Sequence, residues 1–208
     1  MKPSRLAALA LFACAPAFAA PVAFTLDFEK TWAFGTGVAE YYNGGTADDG
    51  STASANVGVS FTNVFGFSND AASTNFANAP SSLGVAYADN TNGAAYMNVA
   101  AGVDSSLSFY YAAVGDAAGA IKVYSGLNGT GTLLGTFDLA ATSTTGAFDS
   151  WKQQTISFSG VAQSFDLSGT TGVAALDNVS AVPEPSSVTL MLAGVAVLVG
   201  MRTGRRQA

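Results

Sequence analysis

The sequence predicts an all-β protein, an antiparallel β-sandwich of the jelly-roll type. Apolar residues alternate with polar ones at a period of two through most of the chain, which is the spacing of a strand that buries one face. Asn-Gly dipeptides at 43–44, 92–93 and 128–129 lie between such segments and favour tight turns. No long amphipathic helix and no internal repeat is evident. Many short strands joined by frequent turns are typical of a sandwich.

The predicted strands follow one another along the chain. The alternation is clearest in three segments, at 24–28, 57–61 and 107–111. Further candidates, rich in β-branched, aromatic and small residues, lie at 83–87, 94–99, 120–125, 133–138, 154–158, 163–167 and 173–179. Together they occupy residues 20–181, which is the length of one domain.

The N-terminus has the pattern of a secretory signal peptide. Lys2 and Arg5 precede an apolar stretch, and Ala17 and Ala19 are the small residues that a signal peptidase reads. The sequence therefore predicts a signal peptide at 1–19 and makes signal peptidase a partner during export. A lipoprotein signal with Cys14 as the acylated residue is the alternative.

The C-terminus, residues 182–208, is a second targeting segment. Pro183, Glu184 and Pro185 cannot continue a helix, because each proline lacks a backbone donor. An apolar run at 187–201 follows and ends in a basic cluster, formed by Arg202, Arg205 and Arg206. The run is near the lower limit of about 17 residues for a membrane span. We predict one short transmembrane helix, held transiently in the inner membrane with its arginines on the cytoplasmic side.

This tail resembles the PEP-CTERM sorting signal of bacterial surface proteins, in which the same motif, apolar helix and arginine cluster occur in the same order. The resemblance implies recognition of Pro183, Glu184 and Pro185 by an exosortase, a membrane protease of Gram-negative bacteria that make exopolysaccharide. It also implies membrane anchoring until the tail is removed, and then the cell surface or the extracellular matrix. Some proteins named for ice binding have the same type of tail. An ordinary C-terminal anchor or a buried hairpin is the alternative.

Composition and charge exclude several classes of function. All 14 acidic residues follow the predicted signal peptide, whereas the basic residues of the segment 20–181 are Lys30, Lys122 and Lys152. A domain this acidic repels nucleic acid and anionic lipid. The chain has no histidine, and its one cysteine is Cys14. Histidine- and cysteine-based catalysis and thiolate zinc sites are therefore excluded from the mature chain.

The segment 22–181 resembles the MAM-type and carbohydrate-binding jelly rolls. The sequence Leu-Asp-Phe-Glu opens it at 26–29, and Ala-Leu-Asp-Asn-Val closes it at 175–179. In such jelly rolls, carboxylates near the first and last strands hold a structural calcium ion. The resemblance thus implies Asp27, Glu29 and Asp177 as calcium ligands if these strands pair. Solvated carboxylates on a strand face are the alternative.

Aromatic side chains are candidates for stacking on sugar rings. Tyr41 and Tyr42 lie beside a predicted turn, and Asn43 could bond sugar hydroxyls. These three residues are the predicted ligand-binding residues, and most other aromatic residues are expected in the core.

The function that we expect is that of an exported, non-catalytic surface or matrix protein associated with exopolysaccharide and biofilm. Nothing marks the two positioned carboxylates of a glycoside hydrolase, and no nucleophile elbow or Ser-x-x-Lys arrangement is present. A structural or adhesive surface protein that binds protein partners or itself is the alternative, and a glycoside-active enzyme is a lesser one. Calcium is the one cofactor predicted.

Overall fold

The computed structural model describes residues 23–53, 55–69 and 74–181. Within them lie three short 3-10 turns, at Thr74–Phe76, Leu127–Gly129 and Ser168–Thr170, and ten strands. The strands are β1 (Phe24–Leu26), β2 (Thr36–Gly37), β3 (Val59–Thr62), β4 (Val64–Ser68), β5 (Gly84–Ala88), β6 (Tyr96–Ala113), β7 (Ala117–Tyr124), β8 (Leu133–Leu139), β9 (Lys152–Asp166) and β10 (Ala174–Ala181). All of the strand pairs are antiparallel. The prediction of an all-β antiparallel fold is confirmed.

The two layers of the sandwich are parts of one hydrogen-bonded sheet. Its order is β2-β4-β5-β10-β6-β9-β7-β8, with β1 beside β10 and β3 beside β6. The long strands β6 and β9 belong to both layers, because their register shifts at two places in the middle, where bulges bend them. We call layer A the side with β1, β2, β4, β5, β10, the end of β6 and the start of β9. Layer B contains β3, the start of β6, the end of β9, β7 and β8.

The main core lies between the two layers. Leu107, Phe109 and Tyr111 of β6 are buried, whereas the intervening Ser108 and Tyr110 are only half-buried. This alternation is the one expected of a strand with one face in the core. Each large side chain buried in this way stabilises the fold by about 1.5–3 kcal/mol.

A second, smaller apolar cluster covers the outer face of layer A. Phe76, Val85 and Ala175 are buried there, and Phe148 packs on Phe76 with ring centroids 5.3 Å apart. The Trp151 indole closes the cluster by donating to the Ala77 carbonyl oxygen at 3.0 Å. Apolar side chains therefore cover this part of layer A on both faces.

Most predicted strands are present, but their limits differ. The predicted segments 94–99 and 107–111 both fall on one strand, β6, which begins at Tyr96. The segments 154–158 and 163–167 both fall on β9, which ends at Asp166. The first strand ends at Leu26, because Phe28 has the left-handed backbone conformation with φ of 53°.

The prediction missed β4, for a physical reason. The core face of this strand holds Val64, and its other face holds Phe65 and Phe67, so apolar residues do not alternate. Of these two, Phe67 packs under the second cluster. Gly66 interrupts the pattern further, since the Trp32 indole lies where a side chain would be: a Cβ would stand 2.1 Å from Trp32 Cδ2.

In the part of the chain that the structure describes, no helix has the length and apolarity needed to cross a membrane. The predicted signal peptide with Ala17 and Ala19 lies outside the described residues. So do the predicted transmembrane helix at 187–201 and the sorting residues between Pro183 and Arg206.

Candidate functional site

The first and last strands pair, which is the condition for bringing the predicted calcium ligands together. Leu26 lies opposite Val179 and Thr25 opposite Ser180. Asp177 of β10 is fully buried, with 0% of its surface exposed. Asp27 follows β1 directly.

The segment 81–83 is bound between two of these carboxylates. The Ser81 backbone N–H donates to Asp177 Oδ2 at 2.9 Å, and the Leu83 N–H donates to Glu29 Oε1 at 2.9 Å. The single proton of the Ser81 hydroxyl is shared between Asp177 Oδ1 at 2.7 Å and the Asp27 carbonyl oxygen at 2.8 Å. Ser81 is thus the partner of Asp177, and sequence reasoning missed it because a serine in a loop carries no special signal.

Burial raises the pKa of Asp177 to about 6, and the negative charge of Glu29 adds to this rise. Hydrogen bonds from Ser81 and from the Asn178 N–H oppose the rise, because they stabilise the charged carboxylate. Asp177 therefore changes its charge in the range of mildly acidic pH.

Within the described residues, no three carboxylate, histidine or cysteine side chains are close enough to hold a metal ion. Asp27 Oδ1 instead accepts the Glu29 N–H at 3.2 Å and the Tyr42 hydroxyl at 3.3 Å. A calcium ion bound by Asp27, Glu29 and Asp177 stays a prediction, and it would need backbone or hydroxyl oxygens as further ligands.

The predicted ligand-binding residues lie in three different environments. Tyr42 is buried, its hydroxyl accepts the Phe28 N–H at 2.8 Å, and burial raises its pKa. Its ring is therefore part of the core and presents no face to solvent. Tyr41 is half-buried between the rings of Trp32 and Tyr42. Asn43 is exposed and donates to Glu40 Oε2 at 2.7 Å.

Asn43 lies at the edge of a polar groove on the outer face of layer B. The groove has a volume of about 330 Å³, and strands β3 and β6 form its floor. Its lining residues are Glu40, Asn43, Gly58, Ser60, Thr62, Asn98, Ala100, Leu127 and Asn128.

The alternation of β3 and β6 explains why this floor is polar. Val59 and Phe61 of β3 are buried in the core, so the intervening Ser60 and Thr62 face outward. Ser60 lies opposite Asn98 in the ladder between β3 and β6. The same period of two that builds the core thus places hydroxyl and amide groups side by side in the groove.

One wall of the groove is the loop between β7 and β8, which is fixed to the floor. Asn98 Nδ2 donates to Asn128 Oδ1 at 2.8 Å, and the Asn128 N–H donates back to Asn98 Oδ1 at 2.8 Å. The buried Ser164 hydroxyl accepts the Gly129 N–H at 2.9 Å. Asn128 has φ of 54°, a left-handed conformation that asparagine tolerates better than most residues. The wall is therefore held in one position by three hydrogen bonds.

Sequence reasoning missed most of this groove. In the sequence, Ser60 and Thr62 look like ordinary solvated positions, and the Asn-Gly dipeptide marks Asn128 only as a turn residue. Asn98 is the exception, because asparagine is uncommon inside strands and Asn98 lies within β6. That position alone could have marked it as a candidate site residue. The approach of distant loops to β3 and β6 is a tertiary property.

The chemistry of the groove is that of a binding site for polar ligands. Among its lining residues Glu40 is the one ionisable side chain, and the other polar groups are amides and hydroxyls. Hydrolysis of a glycosidic bond by the common mechanisms needs two carboxylates at a fixed separation. The described lining supplies one, Glu40.

Comparison with known proteins gave a match to one family model and similarity to solved structures. Residues 181–207 match the family model of the PEP-CTERM protein-sorting motif. Among solved structures, the chain is similar to the CBM35 from Paenibacillus barcinonensis, with 20% sequence identity and a TM-score of 0.39 over 62% of this chain and 94% of that one. No curated protein has significant sequence similarity to the chain. The chain thus carries a PEP-CTERM sorting motif, the mark of an exported surface protein that an exosortase sorts.

Proposed function

We propose that this protein is an exported, non-catalytic surface module that binds the polysaccharide of its own extracellular matrix through the groove of layer B. The observation that carries the proposal is the groove itself, a volume of about 330 Å³ lined by amides, hydroxyls and one carboxylate. Small-molecule sites have volumes of about 300–1,000 Å³, and a small number of placed polar groups orients the ligand in them.

The sorting motif implies export of the protein, which supports an extracellular polysaccharide as its ligand. We place the protein in the inner membrane of a Gram-negative bacterium before tail removal, held by the apolar run at 187–201. After an exosortase has removed the tail, the domain is released to the cell surface or to the exopolysaccharide of a biofilm. A domain that lodges there needs affinity for glycans and no catalytic activity.

Retention on exopolysaccharide from the host tests the binding proposal. The full chain, purified in mild detergent, is expected to be retained on immobilised host exopolysaccharide. Passage at the rate of an unrelated acidic protein of similar size would overturn the proposal.

The sorting part has a separate test, because it concerns the tail alone. In a cell that has the matching exosortase, the intact mass of the mature protein is expected to lack residues 202–208. The Glu184→Ala variant is expected to keep them, since the motif would no longer be recognised. A mature wild-type protein that still carries the basic cluster would contradict exosortase sorting.

One exposed ring bears on the alternative, a structural or adhesive protein that binds itself or other proteins. Phe34 is 93% exposed and packs edge-on against Phe67, with centroids 5.6 Å apart. Single exposed apolar residues are common on soluble proteins, so one ring does not define an interface. Sedimentation of the wild type and Phe34→Ser across a wide concentration range decides the matter. Association of the wild type that the variant loses would favour adhesion.

A further inference from the structure

We propose that the groove of layer B selects uncharged glycan segments and rejects acidic ones. This inference rests on the proposed function and adds the class of ligand. Its basis is the combination of charge, hydrogen-bonding groups and fixed geometry that the described residues bring together in the groove.

The charges at the groove are unfavourable for an anion. Glu40 lies in the lining, and no lysine or arginine of the described residues lines the groove with it. Lys122 of β7 lies opposite Asp166 in the ladder with β9. Lys30 pairs with Asp49. A uronate or phosphate in the groove would meet the negative charge of Glu40 and no compensating cation from the described lining residues, and like charges a few ångströms apart repel each other.

The neutral groups of the groove match the hydroxyls of a sugar. Ser60 and Thr62 can each donate and accept, and the amides of Asn43 and Asn128 carry both functions as well. Sugar hydroxyls are also donors and acceptors at once, so each of these groups can find a partner on an uncharged residue. Glu40 adds an acceptor for a hydroxyl, and Asn43 holds its carboxylate in place.

The geometry of the groove is set before a ligand arrives. Asn98 is only 8% exposed, and its reciprocal hydrogen bonds with Asn128 fix the wall to the floor. The fully buried Ser164 fixes the same loop from below, and its own proton goes to the Gly126 carbonyl oxygen at 2.5 Å. Groups that are already positioned lose little conformational entropy on binding, which favours a specific site.

The test separates host exopolysaccharide by anion exchange into an uncharged and an acidic fraction. The full chain in mild detergent is titrated with each fraction and with the acidic fraction after chemical reduction of its carboxyl groups to alcohols. We expect at least tenfold tighter binding of the uncharged fraction than of the acidic one, which corresponds to about 1.4 kcal/mol. Carboxyl reduction should recover binding, because it removes the charge and keeps the sugar linkages.

Matched variants locate the site. Ser60→Phe fills the groove and should weaken binding of the uncharged fraction at least tenfold. Ser157→Phe makes the same change at an exposed strand position of layer A, in the ladder with Ser106, and should stay within twofold of the wild type. Circular dichroism and thermal unfolding verify that both variants are folded.

A milder pair of variants removes one amide without filling the groove. Asn128→Gly keeps a left-handed backbone and should weaken binding at least threefold. Asn78→Gly is its control, since Asn78 also has a positive φ of 60° but donates to the Asp149 carbonyl oxygen at 3.0 Å, away from the groove. Glu40→Gln should tighten binding of the acidic fraction about threefold, because it removes the repelling charge.

The outcomes separate the two proposals. No binding of either fraction would overturn the proposed function and the selectivity with it. Equal or tighter binding of the acidic fraction would overturn the selectivity and leave the proposed function standing. Binding of the uncharged fraction that Ser60→Phe and Ser157→Phe change to the same extent would show that the groove is not the site.

Discussion

Asp177 and Ser81 lie 96 positions apart in the sequence, and both the backbone N–H and the hydroxyl of Ser81 contact the Asp177 carboxylate. The Ser81 N–H donates to Asp177 Oδ2 at 2.9 Å, and its hydroxyl stands 2.7 Å from Oδ1. These hydrogen bonds connect the segment before β5 to β10, the last strand. Because Asp177 is fully buried, the stability of this junction depends on whether the Asp177 carboxyl group is protonated or charged.

We expect the free energy of unfolding to fall as the pH rises from about 4 to above 6. The pKa of Asp177 is raised to about 6 in the folded protein, whereas an unfolded aspartate has a value near 3.9. In this window the unfolded chain releases the proton and the folded protein keeps it, so higher pH favours unfolding, by roughly 1–3 kcal/mol in total. Urea unfolding at several pH values measures the slope.

Asp177→Asn is the control for this slope. The amide does not titrate, so the variant should lack the fall seen in the wild type between these pH values. The variant loses one acceptor for the N–H groups of Ser81 and Asn178, so its free energy of unfolding is lower at every pH. The comparison with the wild type is therefore between the slopes of the free energy of unfolding against pH. Identical slopes in both proteins would contradict the assignment to Asp177.

Ser81→Ala is expected to destabilise the protein at pH 7 by about 1–2 kcal/mol, because the charged carboxylate loses a hydroxyl donor. The same loss should move the pKa of Asp177 further up, since the hydroxyl stabilises the charged form. Thermal and urea unfolding measure the first effect, and the pH at which stability changes measures the second. Ser157→Ala, at an exposed position, serves as the matched control and should be neutral. An equal loss of unfolding free energy in both variants would contradict a stabilising role of the Ser81 hydroxyl.

The proposed calcium site predicts a stabilisation that depends on the same carboxylate. If Asp27, Glu29 and Asp177 hold calcium, saturating calcium at pH 7 should raise the melting temperature, and a chelator should reverse the rise. At a concentration one hundred times the dissociation constant, the gain is about 2.7 kcal/mol. Asp177→Asn should lose most of it. No difference between calcium and chelator in the wild type would end the calcium hypothesis.

Gly66→Ala should destabilise the protein by about 1–3 kcal/mol, because its Cβ would stand 2.1 Å from Trp32 Cδ2 and force the indole out of its packing. Gly115 is the matched control, since a Cβ there meets nothing within 4 Å. Thermal unfolding of the two variants should therefore differ by several degrees. Similar melting temperatures would mean that the Trp32 ring moves aside at little cost.

Local periodicity accounts for the part of the fold that could be predicted. Leu107, Phe109 and Tyr111 alternate with polar residues, and such alternation reports burial on one face whatever the neighbours are. It fails for β4, where Phe67, on the face away from the main core, packs under the second cluster with Phe76 and Phe148. A strand with two covered faces loses the period that identifies it.

The same limit applies to the sites. Tyr42, Asn43 and Tyr41 are adjacent in sequence, but strand pairing and core packing decide that Tyr42 bonds to Phe28 while Asn43 bonds to Glu40 at the groove. No local pattern tells a buried tyrosine from an exposed one beside a turn.

The sequence by itself determined the class of fold and the sorting motif, because strand periodicity and a short linear signal are both read over consecutive residues. Only the tertiary structure decided that Asn98 and Asn128 meet, that Ser60 lies beside Asn98, and that Asp177 is buried against Ser81. These contacts join residues at least 30 positions apart, and their formation depends on how the two layers close over a shared core.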